Sequence, residues 1–199
     1  MRFLKEVSLY PVASLILIAV ILPFVSGVIP TVNFTSERID VHVYHDEIFV
    51  DGYYFYKNPF PFPVVQGFSI PFPVDKDHPK PFDVNVERLT PKKEPLSLRH
   101  IFGKTGFDVY FSAKEEATIR VLYRQKAGGA NGTYILTTTR PWGRPLENGV
   151  YMLYPHGTVI VSSNYPFNIP GNAPGFHKTG FMPEKDWRFS WRRENEKEM

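Results

Sequence analysis

The stretch IDVHVYHDEIFVDGYYFY, Ile39 to Tyr56, decides the fold. Ile39-Asp40-Val41-His42-Val43-Tyr44 alternates apolar and polar residues, which is the period of a half-buried strand. His45-Asp46-Glu47 is a turn. Ile48 to Tyr56 is a second strand of β-branched and aromatic residues, so the two form a hairpin. Gly52 inside that strand marks a bulge or a close approach of backbone.

The same signature recurs along the chain. Val64 to Ile70 is a strand ended by Pro71-Phe72-Pro73, whereas the three prolines of Lys57 to Pro63 exclude a central strand. Phe82 to Glu87 alternates most cleanly, with Phe82, Val84 and Val86 inward. Leu96–Phe102 and Phe107–Phe111 flank a hairpin connection at 103–106. Thr118–Arg124 and Thr133–Thr139 read as a hairpin across a Gly-rich tip, and Val150–Tyr154 and Thr158–Tyr165 as another across Pro155-His156-Gly157. Residues 166–180 lack any period and read as a long loop. In Phe181 to Trp191, Trp187, Phe189 and Trp191 alternate with Arg188, Ser190 and Arg192. About ten short strands with no helical segment between them specify an all-β fold. The expected architecture is an antiparallel two-sheet β-sandwich of immunoglobulin-like shape.

Upstream, Leu9 to Ile29 reads LYPVASLILIAVILPFVSGVI, and no charge occurs between Glu6 and Glu37. As a helix, about 21 residues span roughly 31 Å, close to a bilayer's hydrocarbon thickness. The expected organisation is therefore an N-terminal transmembrane helix within residues 1–31, a β-domain over 32–192, and a charged tail over 193–199. Val25-Ser26-Gly27 also fits a signal cleavage site, which leaves a secreted form as the alternative. Arg2 and Lys5 precede the apolar stretch, which places the N-terminus in the cytoplasm and the β-domain outside it, in a periplasmic or extracellular space.

Composition removes several chemistries. With no Cys, there are no disulfides, thiolate nucleophiles or Cys-bound metals. Seventeen Phe, eleven Tyr and three Trp supply a core in their place. A net charge of +3 is too mild to indicate nucleic acid. His42 and His45 are three apart, which on a strand puts them on opposite faces. Asp75, Asp77 and His78 share one polar loop, without the ligand ladder of a calcium loop. No Gly-x-Ser-x-Gly elbow or phosphate loop occurs. No metal, cofactor or catalytic set is expected, and the protein reads as non-catalytic.

The leading expectation is an accessory subunit of a larger membrane complex, its partners being other membrane-protein subunits, with the bilayer engaged by the N-terminal helix. Phe60, Phe62, Trp142, Trp187 and Trp191 are the candidate partner contacts, since rigid Pro-rich loops and Trp/Arg clusters suit interfaces. For the Trp/Arg segment, a core strand is the competing reading. The alternative function is a secreted or membrane-anchored binding module for a lipid, glycan or peptide, which requires an apolar or aromatic cavity between the sheets.

Overall fold

The computed structural model describes residues 30–101 and 103–195. The apolar stretch 9–29, and with it the expected transmembrane helix, lies outside the described residues; no helix among them is long and apolar enough to cross a membrane. The chain is all-β, arranged in several sheets. Its strands are β1 (Asn33–Val43), β2 (Glu47–Lys57), β3 (Val64–Ile70), β4 (Phe82–Thr90), β5 (Glu94–Pro95), β6 (Arg99–Ile101) and β7 (Lys104–Phe111). Then come β8 (Glu116–Lys126), β9 (Asn131–Tyr134), a 3-10 turn (Thr137–Trp142), β10 (Leu146–Pro155), β11 (Thr158–Ser163), β12 (Gly175–Phe181) and β13 (Trp187–Arg193).

Seven strands form one large sheet in the order β12-β10-β1-β2-β8-β4-β5. Two small sheets, β3-β7-β6 and β11-β13-β9, lie on its apolar face. Tyr56 of the large sheet meets Phe68 and Phe111 of one small sheet. Tyr151 and Phe176 meet Trp187 of the other. Ile39, Val41, Val43, Val50, Ile119 and Leu153 form the buried floor beneath both. The opposite face of the large sheet is polar. There Arg120 grips Asp51 through two bonds of 2.7 Å and reaches Glu87, while Arg124 pairs with Glu47. Such cross-strand charge pairs suit a face turned to water.

The antiparallel two-sheet sandwich is corrected in two respects. β1 runs parallel to β10, so the large sheet is mixed, and the covering layer is split into two sheets. The expected first hairpin is present, with Ile39 opposite Gly52, and its first strand starts earlier, at Asn33. Thr133 does not return beside β8, because β9 pairs with β13. β10 and β11 likewise part at Pro155 into different sheets. Residues 175–181 form a strand, β12, paired with β10. Phe82 is half exposed because Asp83, at φ 51°, interrupts the register.

Trp187 is fully buried, against Tyr151, Phe176 and Phe189. Trp191 is buried as well, and its indole N–H donates to the His45 carbonyl. Both side chains pack within this chain's own core. Trp187→Ala should accordingly cost about 3–5 kcal/mol in the isolated protein. Denaturant unfolding checks this; unchanged stability would return Trp187 to the surface.

Candidate ligand cavity

Where the two small sheets stop short of each other, the large sheet is left uncovered. β3 is an edge strand of one and β9 an edge strand of the other. Between them lies a cavity of about 390 Å3. Its floor is Glu37 of β1, Tyr54 and Tyr56 of β2, and Val121 and Tyr123 of β8. Residues 66–71 make one wall; Tyr134 and Trp142 make the other. The volume falls within the usual range for small-molecule pockets.

Trp142 is held over the floor by an aromatic cluster. Its ring centroid lies 5.6 Å from Phe34, 5.5 Å from Tyr56 and 5.9 Å from Phe68. Gly143, at φ 69°, ends the 3-10 turn that carries it, and its N–H donates to the Arg140 carbonyl. Gln66, itself buried, accepts from the Thr31 N–H at 2.6 Å and the Thr31 hydroxyl at 2.9 Å. That bond fixes the chain's entry, so Pro30 also lines the cavity.

Glu37 is the chemically unusual member. It occupies an inward position on β1, two residues before Ile39, and is only 4% exposed. Two glycines shape its surroundings. Glu37 lies opposite Tyr54 on β2 and Gly149 on β10. The Tyr151 ring folds back over Gly149, where a Cβ would meet its hydroxyl at 2.7 Å. That hydroxyl then donates to Glu37 Oε1 at 2.5 Å. Tyr54 folds back over Gly52 with the same 2.7 Å approach, and its hydroxyl meets that of Tyr134 at 2.5 Å. Gly52 is thus the close approach its place in the strand implies. Burial pushes the Glu37 carboxyl up to about 7, against the lowering effect of the Tyr151 bond. Burial also raises Tyr54 and Tyr134, so both stay neutral. Among the residues lining the cavity, the other charged one is Lys104, exposed.

Of the candidate contacts, Trp142 belongs to this cavity, while Trp187 and Trp191 are in the core. Phe60 and Phe62 stack on each other at 5.1 Å in a loop shaped by buried Asn58, and Phe62 is 54% exposed. His42 meets His156 at 2.9 Å, while His45 lies beside Arg193. Asp75 Oδ1 accepts from the Asp77 and His78 N–H groups and lies 2.9 Å from His78 Nδ1, as a turn residue does. No group of three or more His or acidic residues suited to a metal occurs among the described residues. Glu37 was legible in principle. It shares the parity of Ile39, Val41 and Val43, and Gly52-Tyr53-Tyr54 and Gly149-Val150-Tyr151 repeat one Gly-x-Tyr pattern.

The raised Glu37 carboxyl makes a signed prediction. Above pH 7 it is ionised in both the folded and unfolded states, and its burial cost is fully felt. Below about pH 4.5 it is protonated in both, and the cost vanishes. The wild type should therefore lose stability as pH rises from 4.5 to 7. Glu37→Gln should be more stable by up to roughly 3 kcal/mol at pH 8 and equal at pH 4. Denaturant melts at the two pH values check the difference; a pH-independent gap would contradict it.

No family model matches the chain, and no curated protein matches it in sequence. Among solved structures, a Legionella pneumophila protein provisionally described as a nutrient binding protein superposes with a TM-score of 0.64 at 13% identity, over 81% of this chain and 67% of that one. An M1 zinc metallopeptidase of Deinococcus radiodurans gives a TM-score of 0.45 at 8% identity, over 80% of this chain and 42% of its own. At 13% identity, the likeness to the Legionella protein is one of fold.

Proposed function

We propose that the protein is a non-catalytic binding module whose cavity takes a small, largely apolar ligand outside a membrane. The observation that carries this is the aromatic cavity at the seam of the covering layer, floored by the large sheet and walled by two sheet edges. A chain that needed only stability would fill such a gap with side chains, as interiors are close-packed. The binding role provisionally described for the Legionella protein is compatible with this reading.

The apolar sequence of residues 9–29 supports a place for the module at a membrane. Pro30 lines the cavity and follows that apolar stretch directly. With the stretch as an anchor, the cavity lies beside the outer membrane–water boundary, within reach of amphiphilic molecules. A second reading, an accessory subunit of a membrane complex, is favoured by the exposed Phe62 stacked on Phe60.

A fluorescent apolar probe, N-phenylnaphthylamine, tests the first reading. It should brighten on binding the wild type. Thr138 is exposed and lines the cavity, so Thr138→Trp should leave the fold intact and obstruct entry. Probe affinity should fall about tenfold or more, a loss of roughly 1.4 kcal/mol. Equal probe binding by the variant would remove the cavity from the account.

A further inference from the structure

We propose that the cavity recognises an organic ammonium group, quaternary or protonated, with Glu37 as its counter-charge. The proposal rests on the cavity being a ligand site and names the ligand's chemistry. Three observations converge on it.

The first is a buried carboxyl with capacity to spare. Tyr151 donates to Oε1, and no hydrogen bond to Oε2 is formed among the described residues. A buried charge is costly unless paired, and no Lys, Arg or His side chain of the described residues bonds Glu37. The carboxyl lines an open cavity, and a cation arriving there would pair its charge.

The second is the lining. Tyr54, Tyr123, Tyr134 and Trp142 all contribute surface to the cavity. Aromatic faces attract ammonium groups, Trp most strongly, and enclose methylated nitrogen where hydrogen-bond acceptors cannot. An anionic ligand would meet Glu37 without a buried cation to offset it. A neutral one could offer at most a hydrogen bond and would leave the charge unpaired.

The third is the distribution of charge. The titratable groups that interact with Glu37 are Tyr54, Tyr56, Tyr134 and Tyr151, and burial holds each of these protonated. Lys104 lines the cavity but is exposed, where water screens it. The negative charge in the cavity is therefore that of Glu37.

Calorimetric titration of the full-length protein in detergent tests the proposal with choline and with 3,3-dimethylbutan-1-ol, its uncharged carbon analogue. At pH 8, choline should bind at least about tenfold tighter than the alcohol, the preference expected of one partnered buried charge. Choline affinity should fall toward pH 5, by up to about tenfold per pH unit below 7, while that of the alcohol stays level. Glu37→Gln should erase the preference and the pH dependence while retaining the alcohol. Trp142→Ala should weaken choline more than the alcohol. Short-chain phosphatidylcholine below its micelle concentration separates two sources. Competition with choline identifies a lipid headgroup, and choline binding without competition identifies a soluble ammonium compound. Equal binding of choline and alcohol at both pH values overturns the ammonium proposal and leaves the cavity reading standing. If choline, the alcohol and N-phenylnaphthylamine all fail to bind, both fall.

Discussion

The constraint on which this structure depends is the need to cover one apolar face of a wide sheet. Seven strands about 4.8 Å apart make a wall roughly 29 Å across, whereas a three-stranded sheet spans only roughly 10 Å. Two such sheets set side by side leave a seam. One sheet packs Phe68, Phe107 and Phe111 against the β2 side of the wall, and the other packs Trp187, Phe189 and Trp191 against the β10 side. The cavity is the seam. Its position follows from where β3 and β9 end their sheets, so the same division of labour that buries the core also opens the site.

Aromatic residues make this arrangement stable without crosslinks. Stacked, tilted and edge-on ring pairs run from Phe34 through Tyr56, Phe68 and Phe107 in one half, and from Tyr165 through Phe176 and Trp187 in the other. Glycine is the complement of these rings. At Gly52 and Gly149 the strand gives up a side chain so that a tyrosine two residues on can lie flat along it. In both places the ring's hydroxyl is carried to a polar partner that would otherwise be out of reach. Packing and polar geometry at the cavity floor thus have one cause.

Strands were legible in the sequence because alternation is local. Ile39–Val43 and Thr118–Arg124 carry their own period, Ile48–Tyr56 is marked by β-branched and aromatic residues, and each forms a strand at its expected place. Partnership was less legible, because it depends on residues far away. Nothing in Val150–Tyr154 states that its neighbours are β1 and β12, or that the chain changes sheet at Pro155. A short connection such as Pro155-His156-Gly157 suits a hairpin and a corner alike. Residues 175–181 became a strand through pairing with β10, despite their Gly and polar content. The cavity was legible only as a requirement of one functional reading. Trp142 stands out in the sequence as a candidate partner contact, while Glu37 falls just before the strand that the alternation marks from Ile39.

Glu37 is where local pattern and global fold disagree. Every other inward position from residue 37 to 43 of β1 carries an Ile or a Val, and the same face of the neighbouring strands is apolar or aromatic. An apolar residue there would satisfy the alternation and avoid a buried charge. The fold instead surrounds the carboxyl with tyrosines, supports it with one hydroxyl, and leaves it beside open volume. Sequences that specify one structure tend to be consistent at every level, and the exceptions concentrate at functional sites. A solitary carboxyl in an aromatic hollow is poorly suited to stability and well suited to receiving a positive guest. That mismatch at Glu37, beside open volume in the seam of the covering layer, is what the proposed binding of a cationic guest rests on.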